Sequence, residues 1–160
     1  MSRKASDPVR EFEHSHGHLT RLALEIAQIV RADAPVPAEA RRLLVGRLEV
    51  LRDELLRHFA DEEEGLFPFV RANLPEKAAV VDRLQGGHDT ICGAIVRVAH
   101  FAAGEREALG SRRPALSALY GRFESAYAQH SRDEAGLLEE LGRVLNEGQR
   151  VKLGELLHGL

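Results

Sequence analysis

Residues 44–68 read LVGRLEVLRDELLRHFADEEEGLFP, and the fold turns on how they are spaced. Apolar side chains recur at Leu44, Leu48, Leu51, Leu55 and Leu66 in steps of three and four, the period of an α-helix with one buried face. His58 and Glu62 occupy the two stripe positions between Leu55 and Leu66. A buried imidazole or carboxylate without a partner costs several kcal/mol, so two of them on an apolar stripe demand partners from elsewhere in the chain.

Outward from this stretch, breakers fall at Asp33 to Pro37, Asn73 to Pro75, Gly104 to Pro114 and Asn146 to Gly148. They delimit helical segments over about residues 8–32, 38–72, 75–104 and 113–144, with a short fifth helix after them. Pro68 has no backbone donor and is expected to kink or end the second segment in its last turns. Short connections make consecutive helices antiparallel. The expected fold is all-α, an antiparallel up-down-up-down four-helix bundle with a short C-terminal helix. Residues 1–160 form a single domain in this reading, with its core over about 8–144.

The other segments carry stripes of the same kind. The fourth gives Leu116, Tyr120, Phe123, Tyr127, His130, Glu134, Leu137 and Leu141, again His followed by Glu four residues on. The third gives Val81, Leu84, His88, Ile91, Ile95 and Val98, and the first gives Phe12, His16, Leu19, Ala23, Ile26 and Val30. At the helical rise, His16 lies about 12 Å from the start of its segment, His88 about 20 Å from the start of its own, His58 about 21 Å and His130 about 20 Å from the ends of theirs. In an antiparallel bundle those four ends coincide, so His16, His58, Glu62, His88, His130 and Glu134 converge on one layer. Spacing of four stacks His58 over Glu62 and His130 over Glu134, so each helix offers an imidazole and a carboxylate to one cavity.

Other ionisable residues compete for these roles. Asp61 and Asp133 stand three residues after their histidines and are either alternative ligands or hydrogen-bond partners of the ligands, while Glu63 and Glu64 point progressively outward. His14 and His18 share a polar face with Arg21, Glu25 and Gln28 and read as surface residues, although either is an alternative to His16. His100 and His158 fall off the layer. Cys92, one turn after His88, reads as a buried thiol, and Tyr120 and Tyr127 read as core aromatics with a polar tip.

Composition narrows the function classes. The formal charge is -3, with 22 basic and 25 acidic residues interspersed along the chain, which leaves no footprint for nucleic acid. No stretch approaches a membrane span or the apolar core of a signal peptide, and the single cysteine suits a reducing compartment, so a cytoplasmic location is expected. Four imidazoles and two carboxylates exceed what tetrahedral zinc needs and suit iron or manganese. Two ions bridged by Glu62 and Glu134 would use the whole set.

The segments His58-Phe-Ala-Asp-Glu62-Glu-Glu-Gly-Leu-Phe-Pro68, Gly87-His88-Asp89 and His130-Ser-Arg-Asp-Glu134 resemble the hemerythrin-like, or HHE, cation-binding family. Within it the chain is most similar to the di-iron proteins called repair of iron centres. The resemblance runs from Phe12 to about Leu141. It implies two non-haem iron ions, carboxylate-bridged with an oxo or hydroxo group, His16, His58, His88 and His130 as terminal ligands, and a small diatomic or peroxide ligand. The implied role lies in nitrosative or oxidative stress or in iron-centre repair, with a redox partner protein; the alternative is an oxygen- or iron-sensing or storage module without turnover. Cys92 and Ala135 depart from the oxygen-carrying hemerythrins, which have a second histidine on that helix and an aspartate five residues after the last one. The small cysteine-containing N-terminal domain common among the repair proteins is a further expected departure, since no such segment is found within residues 1–160.

Overall fold

Asp7-Pro8 opens the first helix as its chemistry requires. The Asp7 carboxylate accepts the Val9 amide at 3.1 Å, and Pro8 occupies a first-turn position where no amide donor is needed. The structure, a computed structural model, describes residues 7–32, 37–104 and 109–159, without the side chains of 109–111. Helix α1 is Pro8–Arg31 and α2 is Ala38–Asp61. A π-helical turn, Glu62–Leu66, joins α2 to α3, Phe67–Asn73, and a 3-10 turn, Pro75–Lys77, leads into α4, Ala78–Gly104. Helix α5 is Leu109–Val144 and α6 is Glu147–His158.

Two boundaries differ from the sequence expectation for a physical reason. The helical stretch does not end at Pro68, which lies in the first turn of α3. The regular helix ends earlier, at Asp61, and one wide turn comes next, in which the Phe67 amide donates to the Glu62 carbonyl, five residues back. Pro68 would clash with the carbonyl four residues before it in an unbroken α-helix, and the wider turn takes up that misfit. Helix α5 begins at Leu109, before the expected 113, and holds Pro114 inside its N-terminal portion, where a proline removes only one backbone hydrogen bond.

The long helices form a bundle in which α4 packs on α5 and α2, and α1 packs on α5 and α2. Its apolar core is in two parts. One gathers Leu19 to Val30 of α1, Leu44 to Phe59 of α2, Ile91 to Ala102 of α4 and Leu116 to Tyr127 of α5. The other gathers Val9 and Phe12, Leu66 to Val70, Val81 and Leu84, Leu137 to Leu145, and Leu153 of α6. Between them every long helix passes through a polar layer. In the first part, the Tyr120 hydroxyl donates to the Ala23 carbonyl at 2.5 Å, so that the ring can be fully buried.

Helix α6 closes the second part. Asn146 and Gln149 form a capping box at its start, and Gly159, at φ 68°, takes the left-handed conformation that ends it. Arg150 ties three elements together, donating to both Asp7 carboxylate oxygens at 3.0 and 2.9 Å and to the Gly142 carbonyl of α5 at 2.6 Å. Gly65 of the π turn lets α6 come close: a Cβ there would lie 2.7 Å from Leu157 Cδ2. Among the described residues no helix is long and apolar enough to cross a membrane.

Ile26 is fully buried in the first core part, away from the polar layer. Ile26→Ala is expected to cost about 2–5 kcal/mol, read as a lower urea midpoint, while the metal content of the folded protein stays that of the parent.

Candidate metal centre

Each long helix brings polar side chains to the layer between the two core parts. His16 comes from α1, His58 from the last turn of α2, Glu62 from the first position of the π turn, His88 from α4, and His130 and Glu134 from α5. All are buried except His16, whose side chain is 13% exposed. Their donor atoms form two groups, His16, His58, Glu62 and Glu134 in one and Glu62, His88 and His130 in the other, with the atoms of each group within 4.8 Å of one another. Glu62 belongs to both.

The four imidazoles turn Nε2 toward the carboxylates. His88 Nε2 lies 2.8 Å from Glu62 Oε2, His58 Nε2 lies 3.6 Å from both Glu62 Oε1 and Glu134 Oε2, and His130 Nε2 lies 3.4 Å from Glu134 Oε2. His16 Nε2 meets Glu134 Oε2 directly. Despite this crowding, His58 Nε2, His88 Nε2, His130 Nε2, both Glu62 oxygens and Glu134 Oε1 make no hydrogen bond of acceptable geometry. Buried polar atoms are nearly always satisfied, and a set of orphans aimed at one another is the arrangement a cation relieves. Nitrogen and carboxylate donors without a thiolate set suit iron or manganese.

The electrostatics arise from two carboxylates sharing one dry layer. Burial and the neighbouring Glu134 charge push the Glu62 carboxyl well above its ordinary range. Burial acts on Glu134 too, but the imidazoles of His130, His16 and His58 around it outweigh burial and hold that carboxyl well below. Burial likewise lowers His88.

Aromatic rings fix the imidazole planes. Phe59 stacks on His88 with centroids 3.8 Å apart, and Phe67 stacks on the same ring at 5.6 Å. Tyr127 stacks on His16 at 6.1 Å, and Phe12 meets His58 edge-on at 5.9 Å. Cys92 packs against the first core part, and burial raises its thiol, which makes it a poor thiolate.

The expected partners of the ligands are not the observed ones. Asp61 is exposed, and Asp133 accepts from Gln129 at 3.2 Å instead of from a histidine. The far nitrogens are met by Ser15, whose hydroxyl lies 3.1 Å from His58 Nδ1, and by Glu63, whose carboxylate accepts from His88 Nδ1 at 2.6 Å. Glu63 is exposed, as its place off the stripe implies, yet its carboxylate reaches back to the His88 ring. Neither the Glu63 nor the Ser15 contact had a signal in the helical period.

His14 is exposed, and the partly exposed His18 accepts from Arg21 at 2.9 Å, so neither enters the layer. His100 is exposed. His158 is also exposed, yet it pairs with Glu11 at 3.3 Å and, with Leu157, Asp61, Phe12 and Ser15, lines a pocket of about 130 Å³ that reaches His58.

A sequence model of the Hemerythrin HHE cation binding domain matches residues 7–156. No curated protein and no solved structure matches the chain.

Proposed function

Because the chain belongs to the hemerythrin HHE cation-binding domain family, we propose that its polar layer holds two non-haem iron ions and binds or reacts with a small redox ligand, nitric oxide, dioxygen or peroxide. His16, His58, His88 and His130 are terminal ligands in this reading, and Glu62 and Glu134 bridge. The observation that carries it is Glu62, which sits in both donor groups with both oxygens unsatisfied. The division of the core also supports helices that run alternately up and down, since the first part takes the C-terminal halves of α1 and α4 but α2 and the N-terminal half of α5, while the π turn and α3 that follow α2 lie in the second part.

Iron held by these residues would supply a redox couple and a Lewis acid toward a diatomic molecule. The chain's own residues do the rest. Phe59, Phe67 and Phe12 pack against the imidazoles and give the layer an apolar surround. Burial and the Glu134 charge bias the Glu62 carboxyl toward its protonated form, and a cation that takes its oxygens displaces any proton there. Absence of an oxygen-carrier ligand pattern at Cys92 and Ala135 favours the repair-of-iron-centres type, acting in the cytoplasm with a redox partner protein in stress response or iron-centre repair.

A second reading, a sensing or storage module without turnover, is favoured by α6. It rests on the π turn that begins with Glu62, so occupancy of the layer and seating of α6 share one element. Metal analysis and ligand titration test both. The purified protein is expected to hold close to two irons and to bleach on reduction, and stoichiometric zinc with no iron uptake would overturn the di-iron assignment. Nitric oxide consumed over many turnovers supports the reactive protein, whereas a single equivalent supports the module.

A further inference from the structure

The four imidazoles of the layer are not held alike. His58 Nδ1 faces a neutral hydroxyl, Ser15 Oγ, at 3.1 Å, and His130 Nδ1 has no hydrogen-bond partner. His88 Nδ1 alone faces a carboxylate among the described residues, Glu63 Oε1 at 2.6 Å. The Glu63 side chain is 41% exposed, so it reaches in from the surface with its charge stabilised by water, while the His88 ring is buried between the layer and Phe59.

A neutral imidazole carries one proton, and an ionised carboxylate can only accept it. Stacking on Phe59 and Phe67 restrains the plane of the His88 ring but not which edge faces the layer, since a half turn about the last side-chain bond preserves both stacks. The Glu63 bond lies at the ring edge and removes that freedom. We propose that Glu63 is the positioning residue for His88: it takes the Nδ1 proton, fixes the tautomer, and presents Nε2 with a bare lone pair to a cation at the Glu62, His88 and His130 group. The carboxylate that accepts from the far nitrogen also makes Nε2 the stronger donor. The two donor groups are consequently unequal, one tuned by a carboxylate and the other by a serine. The assignment rests on the di-metal reading for its effect on the cation, but the tautomer belongs to the metal-free protein.

Nitrogen-15 imidazole spectra of the metal-free protein at mildly alkaline pH test the tautomer, and zinc titration tests the donor strength. Wild-type His88 is expected as the Nδ1–H form, and Glu63→Ala shifts it toward Nε2–H. Glu63→Ala weakens one of the two zinc-binding events by about 10–100-fold. Glu63→Gln, whose amide oxygen still accepts the proton, keeps the Nδ1–H form and recovers part of the affinity. Ser15→Ala moves neither His88 nor that binding event. An Nε2–H His88 in the wild type, or a Glu63→Ala variant with unchanged tautomer and zinc affinity, would overturn the proposal. Fewer than two zinc-binding events in the wild type would instead sink the two-ion reading, and the imidazole spectra would still decide Glu63.

Discussion

Stripping the metal from the loaded protein is expected to lower its thermal midpoint by about 8–16 °C, since occupancy at a thousandfold excess over Kd contributes about 4 kcal/mol and each kcal/mol moves a chain of this length by about 2–4 °C. The cause is the cluster of orphans. His58, His88 and His130 each leave Nε2 unsatisfied, Glu62 leaves both oxygens so, and burial keeps bulk solvent from taking the place of a cation. Scanning calorimetry with and without a chelator reads the difference. His58→Ala and His130→Ala should abolish it along with metal content, because binding and folding are coupled. His14→Ala should keep it, as that ring is exposed away from the layer. Equal midpoints for the loaded and stripped protein would remove the layer as a metal site.

Glu62→Gln is expected to separate binding from stability: metal content is lost, yet the metal-free variant is more stable than the metal-free parent at neutral pH by about 1–3 kcal/mol, the scale of one badly accommodated buried polar group. The sign comes from linkage. The folded carboxyl of Glu62 titrates above its ordinary range because of burial and the Glu134 charge. The folded state therefore holds a proton that the unfolded state releases, and stability falls as pH rises through the interval between the two values. Glutamine removes that loss, so the gain appears at neutral pH and vanishes in acid below the ordinary carboxylate range. Glu134 has the opposite sign. Burial acts against its charge, but three imidazoles hold it low, so its contribution is present above the ordinary range and lost as pH falls through its folded value. Glu134→Gln should destabilise the metal-free protein at neutral pH. Urea titrations of the four chelated proteins parent, Glu62→Gln, Glu134→Gln and the double variant, at neutral and acid pH, check both signs; a destabilised Glu62→Gln at neutral pH would contradict the opposed shifts of the two carboxyls.

Much of the helical architecture was readable because local rules agreed with one another. Asp7-Pro8 and Asn146 with Gln149 are capping chemistry, and Leu44 to Leu55 or Leu116 to Tyr127 repeat at the helical period, so propensity, caps and stripe pointed the same way. Where local signals conflict, the helix ends shift from their expected places. Pro68 and Pro114 both suggest helix ends, but a proline ends a helix only when nothing else compensates. The π turn compensates for Pro68, and the N-terminal portion of α5 accommodates Pro114.

By itself the sequence determined which helix faces carry polar groups into the core, since a period of 3.6 places His58 with Glu62 and His130 with Glu134 whatever the neighbouring helices do. It also determined the donor chemistry, imidazole and carboxylate without a thiolate set. Only the tertiary structure decided how far nitrogens are held. Ser15 reaches His58 across forty-three residues and Glu63 reaches His88 across twenty-five, and both contacts depend on how α1 and α4 pack against the stretch that carries His58 and Glu63. Periodicity carries no information about either, so Asp61 and Asp133, adjacent in sequence to the same histidines, looked like the better partners until packing turned them toward solvent and Gln129.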